Sequence, residues 1–184
     1  MSTSARATRL PVSFFARHST EVAPELLGKR LVVGRCQGRI TEVEAYTDDD
    51  PASHAFRGPT PRNAAMFGPP GRFYVYFTYG MHHCANIVTG TVGVGQGVLL
   101  RGVEPVAGLE LMRARRGPVP DTRLADGPGK LAQAFGLGLA DNGRLAVVHD
   151  DGLEVVIPPP GPRIGIKKAA DWPRRWLLPL SGGR

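Results

Sequence analysis

The chain has 184 residues, enough for one domain with a substantial core, and its 42% hydrophobic and 21% charged residues are typical of a globular protein. The net charge of +7, with 19 arginines among 23 basic residues, makes an acidic partner such as nucleic acid about as plausible as no charged partner. No run approaches the ~18 apolar residues of a membrane span, and no signal peptide is expected, so the sequence predicts a cytoplasmic protein of the bacterial-type cytosol or nucleoid that has no membrane partner.

The first part of the chain predicts a flexible start, a helix and two strands. Residues 1–10 begin with a polar stretch and are expected to be flexible. Ser19 or Thr20 can cap a short helix, and Gly28 suits the position after its end. Residues 31–33 and 39–46 then have the composition of strands.

Alternation along strand 39–46 places two carboxylates on one face. We expect that face to carry Ile40, Glu42, Glu44 and Tyr46, and the other to carry Thr41, Val43 and Ala45. A carboxylate beside an aromatic residue inside a strand is either solvated or used in chemistry. Glu42 fits an exposed charge on an edge strand, whereas Glu44 is the candidate general base.

A long loop and a hairpin follow. The loop 48–71 is rich in Pro, Gly, Ser and Asn, and a loop of this length is usually functional or disordered. Residues 73–78 alternate, residues 83–88 return, and Tyr79 with Gly80 marks the tip of a β-hairpin. A tip tyrosine either inserts into a base stack or lies back on its own hairpin, and the sequence leaves both open.

The second half predicts further strands and two helices. The predicted elements are a strand at 98–103, a helix from Pro105 to about Arg116, a helix opening at 127–130, a hairpin of 147–148 with 153–157, and a final strand at 163–166. Together these patterns predict a single mixed α/β (α+β) domain spanning residues 1–184, dominated by antiparallel strands.

The sequence predicts no metal and no cofactor. Cys36 and Cys84 are expected to be buried reduced thiols outside any Cys-x-x-Cys motif. Residues 82–84 read His-His-Cys, but adjacent residues of a strand point to opposite faces and cannot converge on one ion. The Gly-rich turn 90–97 lacks the Lys-Ser/Thr ending of a phosphate-binding loop.

Aromatic residues could surround Glu44. If the fold brings Tyr46, His54 and Tyr76 together, they form a pocket for a planar ring, and a cationic ring binds best to aromatic faces. Each of the three could equally be a half-buried residue with only a structural role. An alkylated purine is a cationic ring whose N-glycosidic bond is already weakened, so one carboxylate that deprotonates a water suffices for hydrolysis. No second carboxylate forms the pair that is used on sugars.

Short motifs distributed along the chain lead to a family. These motifs are Glu42–Tyr46, Ser53–Ala55, Thr60–Asn63, Met66–Gly68, Tyr74–Tyr76, Tyr79–Met81, Asn86, Leu99–Arg101, Glu104–Pro105, Gly127–Leu131 and Arg163–Gly165. Their identity and order resemble the alkyladenine (3-methyladenine) DNA glycosylase family, and the similarity covers the chain from about Leu26 onward. His82 and the tail 174–176 differ from the family pattern.

The resemblance implies a catalytic group. Glu44 would activate the hydrolytic water, and Arg101 with the backbone carbonyl of Ile164 would help to hold that water.

The resemblance also implies a binding site for a flipped base. Tyr46, His54 and Tyr76 would sandwich the base, and Asn86 at the pocket floor would exclude normal guanine. Tyr79 would fill the gap that the base leaves in the duplex.

The implied protein is a monofunctional DNA glycosylase that acts without a cofactor as a monomer. It would extrude alkylated or deaminated purines from double-stranded DNA and leave an abasic site. The implied fold is a curved antiparallel sheet surrounded by helices, with a protruding hairpin. Two alternatives are a non-catalytic binder of damaged DNA and a basic module that binds RNA or protein.

Overall fold

A curved antiparallel sheet organises the computed structural model, which describes residues 7–179. The strands are β1 (Thr8–Arg9), β2 (Arg30–Val33), β3 (Cys36–Tyr46), β4 (Phe73–Thr78), β5 (His82–Thr89), β6 (Gln96–Ala107), β7 (Val147–Asp150), β8 (Gly161–Pro162) and β9 (Pro173–Leu177). The α-helices are α1 (Val12–Phe15), α2 (Ser19–Leu26), α3 (Leu109–Arg116) and α4 (Pro128–Phe135). Single 3₁₀ turns occupy Ala64–Phe67, Asp121–Arg123 and Leu139–Asp141. The predicted single α+β domain is confirmed.

The sheet places β3 at its centre. The strand order is β1-β7-β2-β3-β6-β5-β4, and all these pairings are antiparallel. β9 also pairs with β3, and β8 pairs with β9, so that the sheet curls into a half-barrel. The helix α2 packs on β3, and α4 packs on β5 and β6. Within residues 7–179 no helix has the length and apolar character needed to cross a bilayer.

An irregularity in β3 decides which of its side chains face the core. The register against β6 shifts between Ile40 and Glu42 and again between Glu42 and Val43. Such a bulge turns the side chains that follow it to the opposite face. Ile40 and Val43 therefore both lie in the hydrophobic core, while Glu44 and Tyr46 contact each other on the opposite side. The prediction that Ile40 shares the carboxylate face was wrong, because strict alternation assumes a regular strand.

The start of α3 also differs from the prediction. The strand β6 continues past Pro105, because β3 supplies pairing partners as far as Gln37. The helix begins at Leu109, after Gly108 takes the left-handed conformation with φ of 77°. By contrast, α4 begins at Pro128 as predicted, where the missing N–H of proline costs no helical hydrogen bond.

The C-terminal part of the chain contains two wrong strand predictions and two strands, β8 and β9, that were not predicted. Residues 153–157 form no strand, and β7 pairs with β1 and β2 instead. Residues 163–166 lie in an irregular loop. The last strand is β9, whose Trp176 joins the core. Its pairing partner β3 is distant in sequence, so no local pattern reveals it.

Two further predictions concern the start of the chain and the β-hairpin. Residues 1–6 lie outside the described part, whereas Thr8 and Arg9 of the stretch expected to be flexible pair with β7. The strands β4 and β5 form the predicted hairpin, with the exposed Tyr79 and Met81 at its turn. Its protrusion from the domain stays a prediction.

Candidate active site

A cavity of about 320 Å³ lies beside the C-terminal half of β3. Seven of the eight predicted site residues line it, namely Tyr46, His54, Tyr76, Tyr79, Asn86, Arg101 and Ile164. The eighth, Glu44, does not line the cavity but contacts three of these residues. The fold thus brings together residues that are up to 120 positions apart in sequence.

Glu44 is a fully buried carboxylate in the centre of the sheet, with 0% of its surface exposed. The hydroxyl of Tyr46 donates to Oε2 at 2.8 Å, and the backbone N–H of Ile164 donates to Oε1 at 2.8 Å. The guanidinium of Arg101 lies 3.5 Å from Oε1. These donors compensate the carboxylate for the loss of water, which a buried charge requires. The contact from Ile164 is its amide, whereas the resemblance had pointed to its carbonyl.

Glu42 is not the exposed edge charge that the sequence suggested. It lies in the central strand, and its side chain is 12% exposed. Arg101 Nε donates to its Oε1 at 3.1 Å, and Arg175 Nε donates to the same atom at 2.6 Å. Glu42 therefore fixes the arginine that reaches Glu44.

Aromatic side chains form the cavity walls. The rings of His54 and Tyr76 meet edge to face, with centroids 4.5 Å apart. His54 Nδ1 also lies 2.9 Å from the hydroxyl of Tyr74. The guanidinium of Arg163 lies over the ring of Tyr46, 4.7 Å from its centroid. The cavity therefore offers several ring surfaces to a planar ligand.

Desolvation keeps the groups of these walls uncharged near neutral pH. It raises the pKa of Tyr74 to about 12, and it also raises the pKa of Tyr46 and of Tyr76. Desolvation and the charge of Arg62 lower the pKa of His54. A neutral imidazole does not repel a cationic ring.

The floor of the cavity comes from β5. Asn86 is buried and donates from Nδ2 to the carbonyl of Tyr74 at 3.2 Å. Cys84 lies opposite Tyr76 in the β4–β5 pair and lines the same cavity. Burial raises the pKa of the Cys84 thiol. Tyr74 and Cys84 were not predicted as site residues. The alternation of β4 nevertheless places Tyr74 on the same face as Tyr76.

Tyr79 stands at the hairpin turn at the rim of the cavity. Its backbone has a φ of 52°, which is uncommon for a residue other than glycine, and 85% of its surface is exposed. Its aromatic ring thus faces solvent rather than the core, as a side chain that contacts a partner would.

Metal-binding geometry is absent from the described part of the chain. No group of three His, Cys, Asp or Glu side chains in residues 7–179 could hold an ion.

Several known proteins are similar in sequence to this chain over almost its whole length. Residues 13–181 match the model of the family described as "Methylpurine-DNA glycosylase (MPG)". A protein of Burkholderia cenocepacia is 54% identical over 94% of this chain and 88% of its own length. A protein of Rhodopseudomonas palustris is 51% identical over 90% of this chain and 82% of its own, and one of Methanoculleus marisnigri is 48% identical over 92% and 94%. Each carries the name "Putative 3-methyladenine DNA glycosylase".

Proposed function

Because the chain belongs to the methylpurine-DNA glycosylase family, we propose that Glu44 is the base that activates its hydrolytic water. The family assignment makes the chain a 3-methyladenine-type DNA glycosylase, a hydrolase of N-glycosyl bonds in base excision repair. The observation that carries the proposal is a fully buried carboxylate held at the wall of an aromatic cavity.

In the proposed reaction, the water oxygen attacks the anomeric carbon of the extruded nucleotide, and the water proton passes to Glu44. The N-glycosidic bond breaks, and its electron pair neutralises the positive charge of a cationic alkylated purine as the base leaves. A neutral base such as hypoxanthine or ethenoadenine takes up a proton from solvent as it leaves. Arg101 and the backbone of Ile164 hold the water against the carboxylate. The described residues that line the cavity include no lysine, so Schiff-base chemistry with strand cleavage is not expected.

The base is proposed to enter the cavity after it has flipped out of the duplex. Tyr46, His54 and Tyr76 then stack on its faces, where the negative faces of the aromatic rings favour a cationic purine. Asn86 on the cavity floor is proposed to exclude guanine, whose exocyclic amine would meet it.

The proposed partner is double-stranded DNA that contains alkylated or deaminated purines, bound by a monomer. The charge of +7 favours contact with phosphates. The exposed Tyr79 is proposed to fill the gap in the duplex while the base is extruded.

Substitution of Glu44 tests the proposal. Glu44→Gln keeps the side-chain volume but cannot take the water proton, so single-turnover base release should fall by about 10²–10⁴ or more. The substrates are duplexes that each carry one defined lesion: 3-methyladenine, 7-methylguanine, hypoxanthine or ethenoadenine. Binding of lesion DNA should persist in the variant.

A matched control is Glu104→Gln, which makes the same chemical change at an exposed position of β6. It should release base at the wild-type rate. Wild-type rates in Glu44→Gln would assign the general base to another group, and a wild type that releases no base from any of the four duplexes would refute the proposed substrates.

A further inference from the structure

The hydrogen bond from Ile164 to Glu44 comes from an irregular segment. Ile164 lies between β8 and β9 in a loop, so no strand partner fixes the direction of its N–H. The residue is 49% exposed, and core packing therefore does not fix it either. Yet its N–H lies 2.8 Å from the carboxylate. Another group must hold the loop in place.

The neighbouring residue Arg163 provides that hold. Its side chain is 0% exposed, and it pairs through both terminal nitrogens with the equally buried carboxylate of Asp50. The same guanidinium donates to the carbonyl of Ala45 in β3 at 3.2 Å and to the carbonyl of Ala169 at 3.2 Å. One planar group thus ties the loop to the strand that carries Glu44.

Arg163 also supports the second hydrogen bond to Glu44. Its guanidinium lies 4.7 Å from the centre of the Tyr46 ring, and the Tyr46 hydroxyl donates to the other carboxylate oxygen at 2.8 Å. Asp50 is held in turn by Arg174, 3.6 Å away. The donors to both oxygens of Glu44 therefore rest on one buried ion pair.

We propose that Arg163 and Asp50 are positioning residues that hold two hydrogen-bond donors against the carboxylate of the reaction's base. The inference rests on the proposed role of Glu44. Neither side chain lines the cavity, so both act through Ile164 and Tyr46 rather than on the substrate. Hydrogen bonds to a carboxylate favour its charged form, and loss of their alignment makes protonation easier.

The other charged or titratable groups that face Glu44 keep their chemical identity when the ion pair is altered. They are Glu42 and Tyr46 on its own strand, Tyr76 on β4, Arg101 on β6 and Arg175 on β9. A change in the pH dependence of the reaction then reports the lost alignment of the donors.

The test compares pH profiles of single-turnover base release from a 7-methylguanine duplex. Arg163→Lys keeps the positive charge but loses the planar fork, so it separates geometry from charge. Asp50→Glu keeps the negative charge but displaces the carboxylate, and it carries the test if Arg163→Lys does not fold. Asp151→Asn breaks a comparable arginine pair far along β3 and serves as the control.

We expect the acidic limb of the profile to move to higher pH by about one unit in Arg163→Lys and Asp50→Glu, as for the loss of one charge-assisted hydrogen bond. Affinity for lesion DNA should stay within about twofold, and the control should keep the wild-type limb. Folded variants whose acidic limb matches that of the wild type would overturn the inference, as would an equal shift in the control. If the wild type itself releases no base, the proposed function fails instead.

Discussion

The strand β3 takes part in two clusters of arginines and carboxylates, one at each end. The pocket cluster consists of Glu42, Glu44, Arg101 and Arg175, and the distal cluster consists of Lys29, Arg30, Arg39, Asp150 and Asp151. Both contain short ion pairs that involve part-buried side chains. The two clusters differ in the groups that surround their carboxylates.

In the distal cluster, charges satisfy one another. Asp151 accepts from Arg30 at 2.6 Å and from Arg39 at 2.8 Å, and these arginines hold its pKa below the usual range. In the pocket cluster, Glu44 is fully buried beside an aromatic cavity, and its donors are a phenol and a backbone amide, with an arginine farther away. Ion pairs alone therefore do not indicate a site, whereas a buried carboxylate beside a cavity is a candidate for one.

After the loss already expected for Glu44→Gln, the largest effect in this comparison is expected at Glu42. Glu42→Gln removes the charge that holds Arg101 and Arg175. A hydrogen bond between charged groups contributes about 1.5–3 kcal/mol, so single-turnover base release should fall about 10- to 100-fold. The distal variant Asp151→Asn should leave that rate unchanged. If Glu42→Gln releases base at the wild-type rate, Glu42 has a purely structural role, as the residues of the distal cluster have.

The sequence indicated the pocket cluster only in part. Glu44 and Arg101 could be predicted, because alternation and the motif resemblance are local signals. The role of Glu42 could not be predicted, because its partner Arg175 lies 133 residues away in a strand that the sequence did not reveal. The pairing of Arg163 with Asp50 was also not predicted, because the two residues are 113 positions apart in the sequence.

Local patterns predicted regular elements better than irregular ones. The β4–β5 hairpin and α4 were predicted because alternation and an N-terminal proline mark them directly. The bulge in β3 has no such mark, since it depends on the register against β6. The loop that carries Ile164 was mistaken for a strand, because a short run of apolar residues does not show whether a pairing partner exists.

A smaller effect is expected for a substitution of Tyr79. This substitution tests base extrusion separately from the chemistry of the pocket cluster. Unstacking a base costs a few kcal/mol, and a residue that fills the gap offsets part of this cost. Tyr79→Ser should therefore slow base release about tenfold for a well-paired lesion, equivalent to about 1.4 kcal/mol. A mispaired lesion leaves the stack more easily and should be affected much less.

The control for Tyr79 is Val156→Ser, which changes another strongly exposed apolar side chain on a segment remote from the cavity. It should not affect either substrate. Glu44→Gln should slow both substrates alike, because it acts after extrusion. The same loss on both substrates for Tyr79→Ser would return Tyr79 to a structural role in the hairpin.

The smallest effect concerns stability rather than rate, at Asp151. The pKa of this carboxyl is lower in the folded protein than in the unfolded chain, chiefly because Arg39 donates hydrogen bonds to it. Its stabilisation is therefore fully present above the unfolded value of about 4, and it is lost as pH falls further. Asp151→Asn should lower the free energy of unfolding at pH 7 by on the order of 1 kcal/mol, since partly exposed arginines regain solvent. Urea unfolding at pH 7 and at pH 3 measures the difference, which should shrink at the lower pH while base release at pH 7 stays at the wild-type rate. A difference of the same size at both pH values would show that the charge of Asp151 does not stabilise the distal cluster.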